Sequence, residues 1–140
     1  MIRAARPEDA GEVAALCGQL GYPTSAADAE RRLREFAARA DVPVFIYELG
    51  GRVVAWMQLR EAATLESGAG VEIVGLVVDE RARGAGVGAA MVAFAKRWAR
   101  ERGHARVRVR TNQVRTRTHA FYERAGFALT KVQRVYDAGI

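Results

Sequence analysis

Apolar and polar positions along this chain change period repeatedly, from alternation to three-and-four spacing and back, as expected of a mixed α and β domain. Ile2 to Ala4 reads as a short strand. Pro7 opens a helix with Glu8 and Asp9 in its first turn, where carboxylates suit the positive end of the helix dipole. Its apolar face is Val13, Leu16, Cys17 and Leu20, and Gly21 followed by Tyr22-Pro23 ends it. A second helix starts at Ser25, where Ser25-x-x-Asp28 is a capping pattern, and runs to about Ala40. Val44 to Leu49 and Arg52 to Leu59 form a hairpin on Gly50-Gly51. Residues 64–70 read as a loop. Val71 to Val78 is nearly unbroken apolar, as in a central strand covered on both faces, and its one charge is Glu72.

After Asp79 to Gly88 a helix runs to Arg102, with Val87, Met91, Ala95 and Trp98 as its core face; Gly103 stops it. Arg106-Val107-Arg108-Val109-Arg110 alternates as a strand with one basic face. Thr116 to Ala125 reads as a short helix closed by Gly126, and Phe127 to Tyr136 as a last strand. The predicted order is β-α-α-β-β-β-α-β-α-β. No repeat, linker or low-complexity tract interrupts it, so residues 1–140 read as one domain.

Composition narrows this picture. Half of the 140 residues are hydrophobic, which excludes disorder of the whole. No apolar run approaches the ~18 residues of a membrane span, and Met1 to Pro7 holds no apolar leader segment. The single cysteine, Cys17, excludes an internal disulfide framework and points to a reducing cytoplasm. With two histidines and one cysteine, no metal is implied. Charge is uneven. Residues 1–70 carry 8 Arg against 10 acids, and residues 71–140 carry 12 Arg and 2 Lys against 6 acids. The basic second half fits a polyanionic ligand, and it fits equally a codon bias toward arginine.

Candidate chemistry concentrates at Asp79-Glu80-Arg81-Ala82-Arg83-Gly84-Ala85-Gly86-Val87-Gly88-Ala89. Glycines opening a helix let a ligand approach backbone amides that lack internal partners, at the positive end of the dipole. That is an anion site, most naturally a phosphate site, with Arg81 and Arg83 beside it. Gly84-x-Gly86-x-x-Ala89 formally fits a dinucleotide fingerprint, but five residues separate it from the strand, and no Lys-Ser/Thr follows as in a triphosphate loop.

Arg81-Ala82-Arg83-Gly84-Ala85-Gly86, preceded by Leu76-x-Val78, resembles the Arg/Gln-x-x-Gly-x-Gly/Ala signature of the GNAT superfamily of acyl-CoA-dependent N-acetyltransferases. Phe121-Tyr122-Glu123-Arg124-Ala125-Gly126-Phe127 is similar to that family's aromatic-Tyr-Glu-x-x-Gly-Phe ending, and the likeness covers nearly the whole chain. The resemblance implies an α/β (α+β) GNAT fold, whose mixed sheet is splayed between its fourth and fifth strands. It implies acetyl-CoA as cosubstrate, with the pyrophosphate on the amides of Arg83, Gly84, Ala85, Gly86, Val87, Gly88 and Ala89, and the pantetheine arm along Leu76, Val77 and Val78. The Val78 amide would donate to the thioester oxygen, which gathers charge during attack. Tyr122 matches the tyrosine that protonates the departing thiolate.

Glu72 is the candidate base toward an amine acceptor, because burial in an apolar strand would raise its pKa; the alternative is a solvated strand start. Arg115 occupies the slot where relatives commonly place a pantetheine-binding asparagine, and Asn112 lies three residues earlier, so both are cofactor candidates. His119 shares a helix face with Tyr122. The Arg106, Arg108 and Arg110 stripe reads as a solvated or dimer-facing side, or as a contact for CoA phosphate or nucleic acid. Tyr22, between the first two helices, is a candidate acceptor contact, and the acidic balance of residues 1–70 is compatible with a cationic amine. The implied protein is an N-acetyltransferase acting by direct attack on the thioester, on a small-molecule or protein amine, and a homodimer. The alternatives are a catalytically silent CoA-binding module and an arginine-rich nucleic-acid binder.

Overall fold

The computed structural model describes residues 1–140. Its elements are β1 (Ile2–Ala4), a 3-10 turn (Pro7–Asp9), α1 (Ala10–Gln19), α2 (Ala26–Ala37), β2 (Val44–Leu49), β3 (Arg52–Thr64), β4 (Gly68–Val78), a second 3-10 turn (Glu80–Ala82), α3 (Val87–Glu101), β5 (Val107–Val109) and α4 (Thr116–Arg124). The chain divides into two compact units, Met1–Val109 and Arg110–Ile140.

In the first unit the five strands lie in the order β1-β2-β3-β4-β5. Every pairing is antiparallel except β4 with β5, which is parallel. Gly50 and Gly51 turn the β2–β3 hairpin with φ of 58° and 77°. Positive φ at both central residues is what a type I′ turn requires, and glycine meets it without a steric penalty. Ser25 caps α2 as the sequence pattern predicts, its hydroxyl accepting from the Asp28 amide at 3.0 Å.

Strand pleating sends alternate residues to opposite faces of the sheet. Ile46 faces Trp56 across β2–β3, and both belong to the core built with Val13, Leu16, Ala29 and Leu33 of α1 and α2. Phe45 faces Met57 on the other side, where its ring meets Phe94 of α3 edge-on at 4.6 Å. Met57, Leu59, Val71, Ile73 and Met91 are sealed from solvent. Trp98, expected in the α3 core face, is only half-buried; Arg102 lies 4.7 Å over its ring, while Val92 and Ala99 fill the buried face instead.

β4 changes register partway along. Gln58 of β3 faces Gly75, but Leu59 faces Ile73, which leaves Val74 as a bulge, 48% exposed. β5 pairs with β4 only at Val71, Glu72 and Ile73. The remaining stretch, Val74 to Val78, therefore runs on with strand pairing to β3 alone.

The strand predicted from Phe127 to Tyr136 does not form: residues 125–140 hold no helix or strand. Leu129, Val132, Val135 and Tyr136 are exposed. Alternation marks a segment that could pair, but a strand with no ladder and no apolar layer has nothing to offset its ordering entropy.

Two packing features carry consequences for stability. Asp9 is buried, receives both guanidinium nitrogens of Arg3 at 2.8 and 2.9 Å and accepts from the Arg6 amide at 2.8 Å. The Arg3 hydrogen bonds outweigh the opposing effect of burial and hold the Asp9 carboxyl below its ordinary range. A carboxylate depressed in the folded state contributes stability above its unfolded pKa, near ~3.9, and loses it as pH falls through the lower folded value. Thermal melts from pH 7 to pH 2 should show part of the acid destabilisation missing in Asp9→Asn, which should also be less stable than the parent at neutral pH. Gly75 presents no side chain to Trp56, and a Cβ there would lie 2.7 Å from the indole ring. Gly75→Ala should cost about 1–3 kcal/mol in urea unfolding by overpacking, and Trp56→Leu in the same chain should restore part of it.

Candidate functional site

The glycine turn is held by a buried aspartate. The Asp79 amide donates to the Val54 carbonyl at 2.8 Å, closing the end of the β3–β4 ladder. The Asp79 carboxylate accepts from the Arg81 amide at 3.0 Å and from the Arg81 guanidinium at 3.2 and 3.4 Å. These bonds hold the carboxyl down at about 2, the Arg81 side chain contributing most. Gln19, the last residue of α1, accepts from the Glu80 amide at 3.1 Å. The turn thus hangs from β3 and α1 as well as from β4.

Gly84 and Gly86 both adopt positive φ, 84° and 81°, and a Cβ at either would meet open space. Gly86 is the N-cap of the 15-residue helix α3, and no side chain caps it. The first internal helix bond runs from the Ala90 amide to the Gly86 carbonyl, so the amides of Val87, Gly88 and Ala89 precede the ladder. The Arg83 and Ala85 amides instead point back, at 3.4 Å, to the Glu80 and Ala82 carbonyls. The predicted cradle from Arg83 to Ala89 therefore has its most available donors at its helical end. Arg81 reaches back to Asp79, so its charge is already partly balanced.

Beside the turn lies a cleft of about 250 Å³ lined by Leu49, Arg52, Val54, Asp79, Arg81, Ala82 and Ala85. The hairpin residues Leu49 and Arg52 escape sequence reasoning, since only the antiparallel register brings that hairpin beside the end of β4. Leu76, Val77 and Val78 fall on the stretch of β4 that β5 does not pair. Val77 is buried in the α1–α2 core, while Leu76 and Val78 are half-buried.

Glu72 lies on the same sheet face as Trp56, among charges. It is buried and ion-paired with Arg60, its direct partner on β3, and Arg108 is its register partner on β5. The sequence leaves burial and a solvated strand start both open; the strand buries Glu72 but sets a cation beside it. A guanidinium alongside favours the charged carboxylate and opposes the effect of burial. Arg60 gives no signal in the sequence, because its pairing depends on the register shift at Val74.

The second unit holds the remaining candidates. Tyr122 of α4 is buried, its ring edge-on to Phe121 and Phe127 at 5.0 and 5.4 Å. Burial pushes its phenol up to about 12, so it keeps its proton at any physiological pH. The His119 ring donates from Nε2 to the Asn112 carbonyl at 2.9 Å, and Asn112 Oδ1 accepts from the Val114 amide at 3.1 Å. Asn112 thereby shapes the turn into α4, whose N-cap is Arg115. Tyr22, on the α1–α2 connection of the first unit, is exposed.

Six of the ten acids of residues 1–70 are ion-paired. Asp9 and Glu48 pair with Arg3, Asp28 with Arg31, Glu30 with Arg34, Asp41 with Arg39, and Glu61 with Arg102 and His104.

Many solved structures share this architecture, among them the three that follow. A transcriptional regulator from Bacillus halodurans C-125 superposes with a TM-score of 0.88 at 21% identity, covering 99% of each chain. The aminoglycoside antibiotic 6'-N-acetyltransferase AAC(6')-IG from Acinetobacter haemolyticus gives 0.87 at 16% identity, covering 100% of this chain and 99% of its own. Glucosamine-6-phosphate N-acetyltransferase from Arabidopsis thaliana gives 0.83 at 23%, covering 98% and 97%. No curated protein sequence matches the chain. At these identities the superpositions establish the fold. The model of the Acetyltransferase (GNAT) family matches residues 12–127, from the first turn of α1 through the glycine turn to Phe127, and the chain belongs to that family.

Proposed function

We propose that this protein is an acetyl-CoA-dependent N-acetyltransferase that moves the acetyl group to a primary amine by direct attack on the thioester. The observation that carries this reading is the uncapped N-terminus of α3, opened by two glycines of positive φ at the end of a strand whose final residues pair on one side only. The amides of Gly84, Gly86, Val87, Gly88 and Ala89 suit a pyrophosphate by partial charge and by the open space at both positive-φ glycines. The unpaired edge of β4 from Leu76 to Val78 suits the amide-bearing pantetheine arm, as an added strand would be held. When bound, acetyl-CoA supplies an activated thioester.

The protein's own groups then have separate tasks. A main-chain amide of the unpaired β4 edge, which runs from Val78 back toward Val74, donates toward the oxygen on which charge gathers. Tyr122, kept neutral by burial, carries the proton that a thiolate leaving group needs. Glu72, a carboxylate already partnered by Arg60, draws a proton from the incoming ammonium directly or through water. An alkylamine with pKa near ~10 is only about one part in a thousand free base at pH 7, so this removal is worth ~4 kcal/mol. Arg83 adds positive charge at the phosphate end, and Asn112 or Arg115 bonds the pantetheine. The whole of residues 1–140 serves as one catalytic domain. We place it in the cytoplasm and read it as a homodimer, with the exposed apolar residues of the C-terminal segment available to a second copy. No helix is long and apolar enough to cross a membrane.

The test begins with calorimetric titration of acetyl-CoA. Micromolar binding is expected, weakened at least about tenfold in Gly86→Val, which loses both the positive φ and the close approach. With an amine panel and thiol detection, Tyr122→Phe should lower kcat by roughly 10²-fold or more and leave the acetyl-CoA Kd within about twofold. Acetyl-CoA binding without turnover of any amine would leave a silent CoA-binding module. Absence of acetyl-CoA binding would overturn the reading altogether.

A further inference from the structure

Across the middle of the sheet, on the face that carries Trp56, the register lines up three charged residues on adjacent strands: Arg60 of β3, Glu72 of β4 and Arg108 of β5. Arg106, two residues before Arg108, lies on the same face, because its guanidinium packs over Gly70, which alternates with Glu72; a Cβ at Gly70 would lie 2.9 Å from Arg106 Nη2. The row thus holds three guanidiniums against one carboxylate. A carboxylate accepts about four hydrogen bonds and each guanidinium offers about five N–H donors, so Glu72 satisfies only a fraction of what surrounds it. Arg60 is about half exposed, with 47% of its side chain in solvent, and Arg108 is half-buried. Arg106 spends one donor on the Ser67 carbonyl at 3.2 Å, and its Nε is buried without a partner.

This row is not the phosphate site already described. Glu72 stands six residues before Val78, roughly 20 Å along the strand from the glycine turn at the far end of β4. The Val74 bulge and the unpaired edge of β4 lie between them. That edge therefore has an anion-attracting place at each end, one made of the partial charges of backbone amides and one of arginines. Glu48 of β2, Glu61 of β3 and Asp28 and Glu30 of α2 are already paired with other arginines, and Glu12 of α1 accepts from the Val53 amide.

Building on the acetyltransferase reading, we infer that the acceptor is an anionic amine: a small primary amine carrying a carboxylate or phosphate, held by Arg108 and Arg60 while Glu72 faces its ammonium. A zwitterion of this kind matches the row in sign at both ends, with the anion on guanidiniums and the ammonium on the carboxylate. A polycation would meet three like charges. Guanidinium suits the task because it binds carboxylate and phosphate oxygens in pairs and stays charged at every working pH.

The test compares matched amines on the full-length protein: ethanolamine phosphate against ethanolamine, and β-alanine against β-alaninamide. Binding is read by calorimetry with CoA present, and acetylation by thiol release. The anionic member of each pair should bind at least about tenfold more tightly, a difference of about 1.4 kcal/mol. Arg108→Gln should erase that preference, Arg108→Lys should keep part of it, and acetyl-CoA affinity should stay within about twofold in both. The phosphate and carboxylate pairs distinguish which anion fits. Equal binding within both pairs in the parent protein would overturn the inference while leaving the acetyltransferase reading intact. Weakened acetyl-CoA binding in Arg108→Gln would also overturn it, by assigning the row to the cofactor. A persistent anion preference without acetylation of any amine would support the inference as a binding site and count against catalysis.

Discussion

The arrangement of the first unit turns on one extra residue. Val74 interrupts the β3–β4 ladder, and from that point the two halves of β4 run in different registers against β3. Just before the bulge, at Val71, Glu72 and Ile73, β4 is a central strand, paired on both sides and buried. After it, β4 is paired with β3 alone. An unpaired run of strand amides is normally a liability, open to any other strand, and folds cover such edges or keep them short. Here the run is five residues long and ends at the glycine turn. The bulge also decides which residues meet: with an unshifted register, Arg60 would not stand opposite Glu72.

Much of this could be read from the chain beforehand, for identifiable reasons. The hairpin at Gly50-Gly51, the cap at Ser25 and the glycine turn are local, and local geometry is written in residue type. The apolar run of β4 and the amphipathic helices were also visible, within a few residues at their ends. What stayed hidden is non-local. The β3–β4 pair extends to Thr64 and Gly68, past the predicted strand ends, because antiparallel pairing extends a ladder through residues with little strand preference of their own. The segment after Phe127 shows the converse. Its alternation is a strand pattern, but pattern alone does not supply a neighbour.

The site divides along the same line. Gly84, Gly86 and Tyr122 stand out in sequence because their neighbours in the chain form the motif. Asp79, Gln19 and Arg52 do not, although Asp79 anchors the turn and Gln19 ties it to α1. Their partners are brought together by the fold. Glu72 belongs to both groups: a charge within an apolar strand is conspicuous, yet its arginine partners appear only once β3 and β5 are placed beside it.

The opening of α3 has a further consequence for how such a chain can diverge. Its donors are main-chain amides, which every residue except proline possesses, so no side chain at 85, 87 or 89 is needed to keep them. Substitution there can be extensive without removing those donors, provided the backbone still turns through positive φ at 84 and 86. A donor surface of that kind is inherited as a shape rather than as a set of functional groups. Such a surface can persist through wide sequence change, while the charged row at the other end of the strand, made of side chains, can be rewritten a residue at a time.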